Sequence, residues 1–167
     1  MSELASEPES LALPYKQVKD NLVGKYISLA KVLMIVQNTT RQDELIRILS
    51  SLSKSLAGVH WIALVDHDGL VMACVPPKPE VSSESIAAMT AAMATTVERI
   101  LGEVDGGQLR YTSIVGSKRH LVTLYLPEGR LLAIGLPPDI SPQKTFQPIR
   151  EWIPELLNVL KMRFTLS

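Results

Sequence analysis

From Tyr15 the apolar positions fall at Tyr15, Val18, Leu22, Tyr26, Leu29, Leu33 and Val36, in steps of three and four. Lys16, Asp20, Lys25 and Lys31 lie off that stripe, so the spacing predicts one face of a helix. Gly24 weakens the pattern, and Val32–Val36 is apolar on every side, so a strand over Tyr26–Val36 stays open beside the favoured helix. Asn38, Thr39 and Thr40 interrupt. Thr40 with Asp43 three residues on has the form of a capping box. Leu45, Ile48, Leu49, Leu52 and Leu56 mark a second amphipathic helix, and Gly58 is placed to end it.

The pattern then changes period. His60–Asp66 is apolar on both faces, which predicts a strand covered on both sides. Asp68-Gly69 signals a tight turn, and Leu70–Cys74 returns as a second strand. Pro76, Pro77 and Pro79 form a stiff loop, and serines at 82, 83 and 85 can open the helix Ile86–Leu101. Three strands follow: Leu109–Val115, which alternates, then His120–Leu126 and the almost wholly apolar Arg130–Leu136. Ser141-Pro142 resembles an N-cap followed by proline at the first helical position. Ile153, Leu156, Leu157, Leu160 and Met162 favour a terminal helix from near Pro148, with Pro148 and Pro154 in first turns or at a kink. Hairpin connections make the sheet mostly antiparallel, and strands buried on both faces need helices on both.

Composition narrows the class. The 167 residues are 46% hydrophobic and 20% charged, which is globular, and only 5% aromatic, so the core is aliphatic. Lys plus Arg equals Asp plus Glu at 17 each, which gives no long-range field for nucleic acid or an anionic membrane. The single cysteine, Cys74, excludes an internal disulfide. Met1–Ser10 carries Glu3, Glu7 and Glu9 and no basic residue, the wrong charge for a signal peptide. The apolar stretch at Leu29–Val36 is broken by Lys31 and far short of the roughly 20 residues of a membrane span. A cytoplasmic protein is expected.

Trp61–Asp66, the turn His67-Asp68-Gly69, Leu70–Cys74, the Ala- and Met-rich helix and the strand triplet together resemble the roadblock family of dynein light chains and bacterial GTPase regulators. The resemblance covers about residues 40–162, with 1–14 expected as a flexible tail, 15–39 as a helical extension that the minimal domain lacks, and 163–167 as a tail. It implies an α/β (α+β) fold: a five-stranded sheet in the order 2-1-5-4-3, the middle helix on one face and the outer helices on the other. It also implies homodimers in which the third strand pairs with its mate and the middle helices meet. Protein–protein binding and regulation of a Ras-like small GTPase follow from the resemblance, without a particular pathway.

The middle helix is the most informative element. Ile86, Met89, Thr90, Met93, Val97, Ile100 and Leu101 form a stripe expected to pack on the sheet. The opposite face holds Ala88, Ala91, Ala92, Thr95 and Arg99; it has one charge and small side chains that let a second helix approach. Helix propensity of alanine is the plainer explanation, and the scarcity of charge favours an interface. Leu109–Val115 is expected at a sheet edge, with Arg110, Thr112 and Ile114 beside that face, and pairing across a two-fold axis satisfies both features.

Catalytic signals are weak. His60, His67 and His120 have no second ligand at metal-binding spacing. Asp66 and Asp68 lack the remaining acids of a calcium loop. Ser51-Leu52-Ser53-Lys54 fits an S-x-x-K pattern without companion motifs. Cys74 ends an apolar strand as a small buried hydrophobe. No phosphate-binding G-x-x-x-x-G-K-[ST] loop is present, so the chain is not itself a P-loop GTPase, and no cofactor or metal is expected. Arg99 is at most an unspecific candidate for an arginine finger. A non-catalytic GTPase-regulating module is the first expectation. A structural adaptor of a motor, filament or trafficking scaffold, connected through residues 1–38, is the second. A small-molecule sensor or enzyme is the third, disfavoured because no convergent polar cluster stands out in the apolar strands.

Overall fold

A computed structural model describes residues 20–30 and 40–161. The chain divides into two units, Met1–Thr39 and Thr40–Ser167. In the first, residues 20–30 are helical (α1) and every one is exposed, Leu22, Val23, Tyr26, Ile27 and Leu29 included. Residues 26–30 are thus helix and not strand. The expectations for residues 1–19, 31–39 and 162–167 lie outside the described residues.

In the second unit, α2 spans Arg41–Ser55. Thr40 is its N-cap: Asp43 N–H donates to Thr40 Oγ1 at 3.2 Å, and Thr40 N–H donates to the Asp43 carboxylate at 2.9 Å. That reciprocal box satisfies two donors that a helix start leaves free. Thr40 holds the Asp43 carboxyl below its ordinary range. The ionised form is therefore favoured in the folded state, and its contribution is complete above the ordinary carboxylate range and is lost as pH falls through the lowered value. Thr40→Ala is expected to cost about 1 kcal/mol, and urea unfolding at neutral and acid pH checks both the loss and its shrinkage in acid.

The strands are β1 Trp61–Val65, β2 Val71–Val75, β3 Tyr111–Val115, β4 His120–Tyr125 and β5 Leu131–Leu136, all pairing antiparallel in the order β2-β1-β5-β4-β3. Helix α3 spans Ser83–Glu103, and α4 spans Phe146–Lys161. Between β1 and β2, Asp66 Oδ1 accepts from the N–H groups of Asp68 at 3.0 Å and Leu70 at 2.8 Å, and Gly69 sits at φ +80°. The carboxylate builds a turn, as the hairpin signal implied. Ser141 makes no side-chain cap; Pro142–Thr145 is a 3-10 turn, and α4 starts four residues after Pro142, with Pro148 in its first turn and Pro154 inside it.

Alternation divides the core into two layers. Ile62 and Leu64 of β1 and Leu132, Ile134 and Leu136 of β5 pack with α2 and α4. Trp61, Ala63 and Val65, with Leu131 and Ala133, pack under α3. Arg41 Nη2 donates to the Leu160 carbonyl at 2.9 Å near the end of α4, and Arg47 pairs with Glu155 across α2 and α4. On the other side, α3 lies over β1, β2 and β5. The α3-side faces of β4 and β3 extend beyond it.

Candidate interaction face

The small residues of α3 face both ways. Ile86, Ala87, Thr90 and Ala94 are its buried positions. Ala87 and Ala94 share the α3-side core with Ala63 and Ala133, so this helix meets the sheet through small side chains. The buried stripe is consequently turned toward the alanines relative to the expectation. Met89 and Ile100, expected on the sheet, are 59% and 55% exposed. Ala91, expected on the outer face, is half-buried against the sheet-side core, and a methyl built on Gly69 would stand 3.1 Å from its Cβ. Ala88, Ala92, Thr95 and Arg99 are exposed. Thr95 and Thr96 turn their hydroxyls back onto the carbonyls of Ala91 and Ala92. The outer face is therefore Ala88, Ala92, Thr95, Thr96 and Arg99, with Met89 and Ile100 along the side nearer β3.

Strand β3 is one edge of the sheet, and none of its five residues is buried. Its ladder to β4 can be phased from two bonds. Tyr125 N–H donates to the Arg110 carbonyl at 2.9 Å, and Gly116 N–H donates to the Arg119 carbonyl at 3.1 Å. In an antiparallel pair, inward-bonded residues alternate with outward-facing ones. Arg110, Thr112, Ile114 and Gly116 therefore spend their backbone groups on β4, and Tyr111, Ser113 and Val115 present theirs to the open edge. Tyr111 is 53% exposed and Val115 72% exposed, and Tyr111 packs its ring edge-on to Phe146 at 4.9 Å between centroids.

The side chains of Thr112 and Ile114 lie on the α3 side. Thr112 Oγ1 donates to Met93 Sδ at 3.8 Å, and Ile114 lines a groove with Met89 and Met93. Exposed Arg110 lines an open cleft of about 740 Å³ with Glu98, Gly102 and Tyr125. Arg110, just before β3, and Thr112 and Ile114 within it thus stand beside α3, next to its methionines and Glu98 and not next to Ala88, Ala92 or Thr95. Periodicity missed Met89, Ile100, Tyr111 and Val115 as exposed apolar positions. The signal that could have found the first two was present: counting alanine as an apolar core residue turns the stripe of α3 onto Ala87 and Ala94.

Tyr125 is the one strongly perturbed group near this face. Its hydroxyl is buried without a partner among the described residues, and burial, then Glu98, push it up to about 12. The neutral phenol is favoured in the fold, so its stabilising effect holds below the ordinary tyrosine value of about 10 and is lost as pH rises from there to the raised value. Tyr125→Phe is expected to remove the last step of the tyrosinate absorbance titration and to leave neutral-pH stability within about 0.5 kcal/mol, since no hydrogen bond is lost.

His120, His67 and Ser51 have structural partners. His120 Nε2 is 3.0 Å from the Pro138 carbonyl, and His67 sits beside Asp68 in solvent. Ser51 Oγ donates to the Arg47 carbonyl within α2. Cys74 is buried, and burial, then Glu84, push its thiol up. Among the described residues no three His, Cys, Asp or Glu side chains are grouped to hold a metal ion, and no helix is long and apolar enough to cross a membrane.

Solved structures share this architecture. Myxococcus xanthus MglB superposes with a TM-score of 0.64 at 15% identity, over 70% of this chain and 94% of that one. A Roadblock/LC7 domain from Streptomyces avermitilis gives 0.62 at 18% identity, over 70% and 98%. The gliding protein MglB from Thermus thermophilus gives 0.62 at 16% identity, over 72% and 90%. At these identities the likeness is one of fold. No curated protein matches the chain by sequence. The family model for the Roadblock/LC7 domain matches residues 45–135, from the first buried leucine of α2 into β5 and more than half of the chain. With the same strand order and the same helix placement, the chain belongs to the Roadblock/LC7 domain family.

Proposed function

We propose that the chain is a non-catalytic, cytoplasmic interaction module: a homodimer built on the β3 edge that binds and regulates a Ras-like small GTPase. The observation that carries this reading is the β3 edge itself. It offers free backbone groups at Tyr111, Ser113 and Val115, and exposed apolar side chains at Tyr111, Ile114 and Val115 line it. A strand so exposed is a template for another strand. A second copy fits because a two-fold axis through β3 pairs the edge with itself and turns the β3-facing sides of the two α3 helices, with Met89 and Ile100, toward each other. Arg110, Thr112 and Ile114 lie at that seam; Ala88, Ala92, Thr95 and Arg99, on the outer face of α3, flank it with side chains that are mostly small, and Ala91 belongs to it only through its half-exposed edge.

Regulation of a GTPase follows from the family resemblance. Paired α3 helices would hold one conformation of the GTPase's switch regions, with the reactive groups supplied by the GTPase itself. The equilibrium can shift only by the difference in affinity between nucleotide states. The test loads small GTPases with GDP or a non-hydrolysable GTP analogue and passes them over the immobilised protein. Retention of a GTPase in one nucleotide state supports the reading, and hydrolysis rates with Arg99→Ala then separate activation from holding. Retention of non-GTPase partners alone would overturn it.

One observation favours the adaptor as a second reading. The exposed apolar side chains of α1, with Leu22, Tyr26 and Leu29 at helical spacing, suit a connector to another chain. Deleting residues 1–38 would then abolish assembly while the sheet domain still folds.

A further inference from the structure

Helix α1 sorts its side chains by face. At about 100° per residue, Leu22, Val23, Tyr26, Ile27 and Leu29 fall within about 160° of the circle, and Asp20, Asn21, Gly24, Lys25 and Ser28 fill the rest. The five apolar side chains are 48–69% exposed. The charge around them has one sign. Between Glu9 and Arg41 the sequence holds Lys16, Lys19, Lys25 and Lys31 against one acid, Asp20, a local net charge of +3 in a chain whose total is zero.

An apolar arc this wide is more than one partner helix covers. A two-stranded seam takes a narrow stripe, and Val23 and Ile27 would stay in water. A second copy of the same helix would also set one +3 stretch against another. A fluid surface covers the whole arc at once, and an anionic one attracts the lysines. Tyr26 carries an apolar ring with a polar tip, the form that sits at the level of lipid headgroups. The neutral chain has no long-range steering, so the attraction acts within the Debye length of about 10 Å, once the face has landed.

We propose that α1 lies flat on an anionic lipid surface, its apolar face at the boundary of headgroups and acyl chains and its lysines drawn to the headgroup phosphates. The helix rests on the surface and does not cross it. Its described residues, 20–30, span about 16 Å, roughly half of a hydrocarbon core. This role depends on neither the dimer nor the GTPase reading, and it competes with the adaptor reading for the same face.

The test floats the full chain with vesicles of phosphatidylcholine alone or with one-third phosphatidylglycerol. Binding to the mixed vesicles should be at least about tenfold tighter, and about 0.5 M sodium chloride should bring it down to the level of phosphatidylcholine alone. Lys25→Gln should weaken it about fivefold, the share of one lysine near an anionic surface. Leu22→Gln with Ile27→Gln keeps the charge and removes apolar area, and should weaken it at least about tenfold. Both positions are exposed, so the circular dichroism of that variant should match the parent's. If its helix content falls, Tyr26→Gln with Leu29→Gln tests the same face. Equal affinity for the two vesicles, binding that salt does not change, or a glutamine double variant that binds like the parent would each overturn the proposal. A chain that stays off both vesicles would overturn it too, and leave the face to another protein.

Discussion

A single methyl group on Gly135 is expected to lower the stability of the domain by about 3 kcal/mol, near the upper end for overpacking a core. The position is in the middle of the sheet, paired with Trp61 of β1 on one side and Leu121 of β4 on the other. All six residues of β5 are buried, so the strand has no solvent side toward which to move. The methyl of Gly135→Ala would run into Trp61 Cε2, Nε1 and Cζ2. An indole is flat and rigid, and it yields only by leaving its place. Urea unfolding measures the loss. Trp61→Leu combined with Gly135→Ala should cost at least about 1 kcal/mol less than the two single losses added, because the collision disappears with the ring. A Gly135→Ala protein as stable as the parent would mean that the indole does not lie there.

Proline at position 113 is expected to break the proposed dimer and spare the fold. Ser113 is one of the outward-facing positions of β3, so its N–H is free of β4, and proline is tolerated on such an edge. The substitution removes a donor that a paired strand needs and sets a ring in its path. Ser113→Pro should raise the dimer dissociation constant by about 100-fold, equivalent to about 2.7 kcal/mol, with the monomer's circular dichroism unchanged. Thr112→Pro is the control: it deletes an N–H directed at β4 and should destabilise the monomer itself. Sedimentation over a range of concentrations reads both. If Ser113→Pro leaves the dimer intact, the copies meet somewhere other than this edge.

The strands and helices were legible in the chain because their signals are local. Within His60–Asp66 and Arg130–Leu136, the runs Trp61–Val65 and Leu131–Leu136 carry no polar side chain, as a strand covered on both faces requires, and they are the adjacent strands β1 and β5 at the centre of the sheet. The Thr40–Asp43 box and the Asp66–Leu70 turn likewise depend on residues three or four apart. The angular position of α3 was not legible, because alanine contributes little to an apolar stripe yet is the residue that lets a helix sit close to Ala63 and Ala133. Nor was the place of the Trp61 ring. Trp61 and Gly135 are far apart in sequence, and nothing near either of them in the chain says that a glycine at 135 opens space for the ring.

The two edges of the sheet are unlike. Strand β3 has no buried residue, whereas β2, at the far edge, has Ala73 and Cys74 buried and packs against α2. An edge that pairs with its own copy is then used up, and the partner's β2, with Ala73 and Cys74 buried, does not repeat the exposed apolar surface of β3. Assembly through β3 is therefore self-limiting: it ends at two chains and a ten-stranded layer, where a sheet with two similar edges would run on as a ribbon.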